Sequence, residues 1–411
     1  MGRRGRVAGL AVAAALAAGQ VLLAGASAAS ASPVSSSIAS AARPVADPAA
    51  LVDPFVGTGS GGDVVGQVDT FPGASVPFGM IQWSPDTPSR PDGGGYDYAD
   101  SQITGFSLTH LSGPGCAVGG DFPILPLTGA IPADPDNAAE SFGHSSEAAH
   151  PGYYAVTAGG VRTQLAVTDR TGVAQFTYPA TTQAQLLVKA SGSASGGADA
   201  TFATDGDQEI SGSVTSGHFC GQPDSYTVYF AARFDRPFTA SGTWGATGNT
   251  GSAGSTVDGG YLTFDTTRDQ HIGMQVAVSY VSVKNAEGNL AAQARTWNVG
   301  AVAAQATAAW NRQLSTIQIA GGTTAQQQEF YTALYHASLD PTLFSDANGQ
   351  YTGFDDKVHT VAKGHEQYAN YSGWDIYRSE VPLLATIDPK IAADMATSLV
   401  NDAAQMGALP K

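Results

Sequence analysis

Two stretches of this sequence combine side chains that suit the binding of a polyhydroxyl ligand. The first is Trp374-Asp375-Ile376-Tyr377-Arg378, which opens a predicted helix. Asp375 and Arg378 are three residues apart, so on a helix they share a face. A carboxylate and a guanidinium in that arrangement either neutralise each other or hold the vicinal hydroxyls of a sugar, one accepting and the other donating hydrogen bonds. Trp374 beside them offers a stacking face and favours the sugar. The second stretch is a series of glycine- and proline-rich turns: Val52-Asp53-Pro54-Phe55-Val56-Gly57-Thr58-Gly59, Phe71-Pro72-Gly73-Ala74, Pro77-Phe78-Gly79-Met80, and Gly105 to Gly113. The Gly57–Gly62 cluster lacks both the Gly-Lys-Ser/Thr ending and the following helical pattern of a phosphate-binding loop. Such turns shape the end of a sheet structure, and Phe55, Phe71, Tyr96, Phe106 and His110 on them can also wall a sugar site. His110 lies beside Thr109 and Ser112. It is either a hydrogen-bonded structural group or a substrate contact.

Other chemistries find little support. No Gly-x-Ser-x-Gly elbow marks a serine nucleophile. Cys116 and Cys220 are the only thiols and read as structural, either bonded to each other or free and buried. A thiol-rich zinc site needs more of them. Asp346-Ala347-Asn348-Gly349 mimics part of a calcium loop but lacks the remaining ligand positions, so it reads as a turn. Lys and Arg total 19 against 35 Asp and Glu, a formal charge of −16. That field repels a phosphate backbone and disfavours an anionic membrane surface, excluding nucleic acid and membrane as partners. With 43% hydrophobic and 13% charged residues, the chain can bury a large core and is no disordered polyelectrolyte.

Residues 1–31 have the form of an export signal: Arg3, Arg4 and Arg6, then an apolar run from Leu10 to Leu23, then small residues suited to cleavage. The run is too short to span a bilayer, so a secreted protein is expected. Residues 32–50 are an Ala/Ser/Pro-rich leader. From 51 to 288 short Val/Thr/Tyr/Phe runs alternate with Gly/Asp/Asn/Ser clusters, as in Tyr154–Thr157, Gln185–Val188, Tyr226–Phe230, Gly260–Phe264 and Gln275–Tyr280. That texture predicts a β-sandwich. Near residue 289 the period changes. Val299, Val302, Ala303, Ala306, Ala309, Trp310 and Leu314 recur at steps of three and four, predicting an amphipathic helix within a linker of residues 289–323. Further helices are expected from an N-cap at Thr324, from about Ser372 to Ala385, and from about Ile391 to Met406, with a long connection over residues 340–370 that is expected to carry function. Helices with apolar faces need partners, and we expect more of them after Lys411.

Together these segments resemble glycoside hydrolase family 92, the exo-acting, calcium-dependent α-mannosidases. The likeness runs from Val52–Gly59 through Gly120-Asp121-Phe122-Pro123, then Phe330–His336, Phe344-Ser345-Asp346, Gly349-Gln350-Tyr351, Trp374–Arg378, Pro382-Leu383-Leu384 and Gly407–Lys411, in the expected order. It implies a multidomain β + α chain. A β-sandwich would be followed by a helical linker and, over residues 324–411, the first helices of an incomplete (α/α)6 barrel. It implies inverting release of terminal mannose from a mannose-containing glycan, and a Ca²⁺ near the mannose 2- and 3-hydroxyls. Asp375 resembles the carboxylate that grips the terminal mannose, with Arg378 and Trp374 as neighbours and loops around Asp86 and His110 beside it. The family's general acid, its base and most calcium ligands correspond to positions after Lys411, so no residue is assigned as catalytic acid or base and no metal ligand is named. The rival expectations are a non-catalytic carbohydrate-binding protein and a structural exported β-protein.

Overall fold

The computed structural model describes residues 43–90, 92–245 and 256–410. The predicted export signal and most of the leader therefore lie outside the described residues. Two antiparallel sheets follow. The six-stranded sheet runs, edge to edge, Ser84–Asp86, Gly105–Ser107, Ile124–Thr128, Ala184–Val188, Gly259–Phe264, Ala240–Trp244. The eight-stranded sheet runs Ala198–Asp205, Glu209–Gly217, Ser225–Phe234, His271–Ser279, Thr171–Thr177, Val161–Val167, Tyr153–Ala158, Ala148–His150. The apolar faces of the two sheets belong to one core, in which the ring pair Phe234–Phe264 (5.3 Å between centroids) joins strands of opposite sheets and Phe122, just before Ile124–Thr128, meets Phe230 at 4.6 Å. Gly172, near the start of its strand, lets the buried Trp83 ring lie against the backbone; a Cβ there would fall 2.4 Å from the indole.

Most of His271–Ser279 is buried without alternation, because both faces of that strand are covered. Its outer face receives the helix Val283–Gln293, with Ala286 and Leu290 against Ala231 and Ala277. The run of helices that follows the sheets thus begins at Val283, capped by Ser282, rather than near residue 289. The helix Val299–Leu314 lays Val299, Val302 and Ala303 on Ala166 and Val173 of the same sheet. Trp310 Nε1 donates to Ser75 O at 2.7 Å and pins this helix to the N-terminal turns. The helix Thr324–His336 starts from a capping box of Thr323 and Gln326, one residue before the expected cap.

The predicted helix over Ser372–Ala385 is two: Gly373–Ile376 and Glu380–Ile387. Pro382 is the reason. Inside a continuous helix it would leave the Arg378 carbonyl without a donor and clash with it, whereas in the first turn its missing N–H costs nothing. Pro389–Met406 closes the described chain. Within the 340–370 connection, the Asp346 turn is buried and tied to the sheet and first helix: its carboxylate accepts from Ser279 Oγ (2.7 Å), Asn285 Nδ2 (2.8 Å) and Asn289 Nδ2 (2.7 Å). Cys116 and Cys220 are joined by a disulfide, with Cα atoms 5.3 Å apart. Among the described residues no helix is long and apolar enough to cross a membrane.

Candidate functional site

The glycine turn folds as it does because Gly57 takes φ +87° and approaches Thr70 and Val68 too closely for a side chain. Beside it opens a cavity of about 420 Å³, bounded by Phe55, Gly57, Gly59, Val68, Tyr98 and His336. Thr58 O accepts the Tyr98 amide at 2.8 Å, which ties the two walls together. Of the aromatic residues expected to wall a sugar site, Phe55 alone lines this cavity. Phe71, Tyr96 and Phe106 are 0–1% exposed and belong to the core, where their large apolar area is removed from water.

Asp86 and His110 come together. His110 Nε2 lies 3.3 Å from Asp86 Oδ1 and 3.1 Å from Ser107 Oγ, Ser107 Oγ donates to Asp86 Oδ2 at 2.7 Å, and Arg90 Nε stands 3.5 Å from Asp86 Oδ1. Burial alone would raise the Asp86 pKa; Arg90, then His110 and Ser107, hold it below the ordinary carboxylate range. Both Asp86 and His110 are buried, and the backbone at Gly95 (φ +69°) crosses directly over them, where a Cβ would meet Asp86 Oδ1 at 2.7 Å. His110 also borders a smaller pocket of about 110 Å³ with Asp121, Tyr226, Tyr280, Phe344 and Asn370. Burial pushes Asp121 up, against hydrogen bonds from Ser193, Thr109 and Tyr226.

Trp374, Asp375 and Arg378 are exposed, Trp374 by 86%. Because the helix stops at Ile376, Asp375 and Arg378 do not share a helical face as expected. Asp375 accepts from Ser372 Oγ, while Arg378 Nε donates to the Tyr377 hydroxyl and lies over its ring at 5.1 Å. No hydrogen bond or ion pair links these three to Asp86 or His110 among the described residues. The segment that follows is nonetheless tied to the glycine turns: Glu380 feels the charge of Asp340, Asp340 Oδ2 accepts the Ser112 amide at 3.2 Å, and Ser112 Oγ donates to Thr70 Oγ1 at 3.0 Å. Burial pushes Asp340 up to about 7, and burial with Asp340's charge does the same to Glu380, up to about 7. Among the buried side-chain atoms without a hydrogen-bond partner are Asp69 Oδ1, His336 Nε2 and Glu380 Oε1. Burial lowers His336 to about 4, against the charge of Asp53.

The profile of the glycosyl hydrolase family 92 N-terminal domain matches residues 51–279. This chain belongs to glycosyl hydrolase family 92. The profile of the family's catalytic domain matches residues 285–411. A protein of Arthroderma benhamiae described as an uncharacterized secreted glycosidase is 26% identical over 334 residues, which cover 72% of this chain and 42% of that one. A family GH92 α-mannosidase of Bacteroides thetaiotaomicron superposes with a TM-score of 0.80 at 28% identity, over 89% of this chain and 51% of its own; it has also been solved with mannoimidazole. A GH92 inverting mannosidase of the same species superposes with a TM-score of 0.76 at 26% identity, over 89% of this chain and 49% of its own. The chain thus spans about half the length of these solved relatives and 42% of the curated one.

Calcium takes six to eight oxygen ligands, carboxylates prominent among them. Among the described residues no group of three or more His, Cys, Asp or Glu side chains is placed to hold a metal ion, and the Asp346 carboxylate is already filled by protein donors. The described residues do not by themselves make up such a ligand set. Tyr98, His336 and Glu380 are not singled out by the sequence as site residues. Tyr98 and His336 lie 238 positions apart, and only the fold brings them to one cavity. The signal that was available is Phe330–His336, which falls within the family likeness.

Proposed function

We propose that this chain forms the β-sandwich and opening barrel helices of a secreted exo-α-mannosidase that releases terminal mannose by direct attack of water, with inversion. Family membership and the mannosidases among its solved relatives support the reaction class. The observation in this chain that carries the reading is the state of the Trp374–Arg378 segment. A tryptophan 86% exposed, next to a carboxylate and a guanidinium engaged only by their immediate neighbours, is what a sugar-gripping surface needs.

In this reading Asp375 accepts hydrogen bonds from the hydroxyls of the terminal mannose, Arg378 donates to them, and the indole of Trp374 packs on the sugar's C–H face. Charge-assisted hydrogen bonds of this kind are about twice as strong as neutral ones. Asp86 and His110 act indirectly. Enclosed under Gly95, they fix the course of the N-terminal turns, and His110 meets ligand only through the small pocket it borders. Inversion requires a carboxylic acid to protonate the departing oxygen and a carboxylate to activate water on the opposite face, roughly 6.5–9.5 Å apart. Neither role is assigned to a residue of this chain, and no residue of 43–410 is assigned to calcium.

The test uses the natural protein, expressed from its complete reading frame and given an aryl α-mannoside, with the anomeric proton followed by NMR. β-Mannose should appear first and then mutarotate. α-Mannose appearing first would contradict inversion, and an absence of hydrolysis would contradict the enzyme.

A further inference from the structure

We propose that the Cys116–Cys220 bond is a redox latch on the pocket that His110 borders: a dithiol reductant opens it, frees the segment 114–118, and leaves both sheets folded. The proposal does not rest on the glycosidase reading. Both cysteines lie in loops, Cys116 between the strands Gly105–Ser107 and Ile124–Thr128, Cys220 between Glu209–Gly217 and Ser225–Phe234. The two loops meet at the pocket of about 110 Å³, where Val118 and Gly119 come from the first loop and Tyr226 follows the second. With the Cα atoms of Cys116 and Cys220 5.3 Å apart, these walls cannot separate while the bond is intact.

Little else holds the first loop there. Residues 114–118 make no hydrogen bond among the described residues, and Pro114 and Val118 lie against Gly93. Hydrogen bonds resume at the ends of the segment. Gly113 N donates to Asp69 O at 3.0 Å, Gly120 N to Thr109 O at 2.7 Å, and Ala194 N to Gly119 O at 2.8 Å. The second loop is closed on itself, with His218 N donating to Asp224 O and Gly221 N to His218 O, each at 2.8 Å. Breaking the disulfide therefore removes the main tie on 114–118 and touches no strand pairing. Segments with few buried contacts and no backbone hydrogen bonds open at low free energy. Cys220 is exposed and Cys116 half-buried, and exposed disulfides are the ones that exchange with thiols. One thiolate of the dithiol attacks Cys220 Sγ; Cys116 Sγ leaves and takes a proton. The second thiolate then attacks the reductant sulfur of the mixed disulfide, and Cys220 Sγ leaves and is protonated. The protein gains two electrons and two protons, and the dithiol, now a cyclic disulfide, loses them.

The test exposes the 411-residue chain to dithiothreitol in native buffer and counts alkylated cysteines by mass spectrometry. Hydrogen exchange is followed before reduction, after it and after reoxidation. Both thiols should become alkylated without denaturant. The amides of Gly120 and Ala194, whose hydrogen bonds brace the pocket wall, should then exchange about tenfold faster. Those of the strands Thr171–Thr177 and His271–Ser279 should not change, and reoxidation should restore the first pattern. The variant carrying both Cys116→Ser and Cys220→Ser should show the reduced pattern from the start and ignore dithiothreitol. If that variant does not fold, the reduced parent decides. A bond that resists the reductant until the protein is denatured, or exchange unchanged on reduction, would overturn the latch. So would exchange that quickens across both sheets, which would make the bond a clamp on the whole fold. No mannoside enters the experiment, so its outcome stands apart from that of the mannosidase reading.

Discussion

Asp86 shows how a side chain shapes a site without facing the ligand. Its carboxylate is enclosed, and three partners, Arg90, His110 and Ser107, depend on it. Asp86→Ala should therefore cost about 3 kcal/mol of stability in urea unfolding, since buried polar partners are left unmet. A variant as stable as the parent would show that the network holds nothing in place. The sign with pH follows from the direction of its shift. The folded pKa lies below the ordinary value, so the stabilisation is present above about pH 4 and is lost as pH falls through the lower folded pKa. The gap between parent and variant should thus close only in acid. From sequence, His110 was left open between structural group and ligand contact, and the types of its neighbours, Thr109 and Ser112, do not decide it. What decides its surroundings is Asp86, a residue 24 positions away.

Among the secondary-structure elements, the helix Val299–Leu314 is legible because all but one of its buried residues are apolar and recur at helical spacing; Pro389–Met406 forms where a helix is expected, although Asp394, Ser398 and Asp402 are among its buried residues. The helix Val283–Gln293 is not legible. Its buried face includes Asn285 and Asn289, which bind Asp346, so an apolar period is missing where the packing is closest. The strands Tyr153–Ala158, Ala184–Val188 and Ser225–Phe234 contain the runs expected of them, but which strands become neighbours depends on long-range pairing that no local pattern encodes. Helix Glu380–Ile387 carries a prediction of its own. Burial and Asp340 raise Glu380 to about 7, so its contribution is fully present below its unfolded pKa of about 4.5 and is lost as pH rises through 7. Glu380→Gln should match the parent at pH 5 and exceed it at pH 8 by about 1 kcal/mol, a figure reduced for partial access to solvent. Thermal unfolding at the two pH values measures this. A parent that gains on the variant as pH rises would show that the pair is not strained.

For the molecule as a whole, the Cys116–Cys220 bond joins residues 104 apart, one in the loop that borders the His110 pocket and the other in the turn before Ser225–Phe234. In the chain-entropy view a loop of that length restricts the unfolded state by about 4.7 kcal/mol. Replacing both cysteines by serine should lower the unfolding free energy read from urea titration by at least about 2 kcal/mol, and an unchanged midpoint would show that the unfolded chain gains nothing from release. Disulfide formation also accords with an oxidising compartment. The exposed Trp374–Arg378 segment bears on the function of the entire protein, and the kinetics of Asp375→Ala in the natural protein on an aryl α-mannoside put it to the proof. If Asp375 grips the terminal mannose, kcat/KM falls roughly 10- to 100-fold, the loss of a charge-assisted hydrogen bond, with the melting temperature unchanged. Equal kcat/KM in parent and variant would contradict that role.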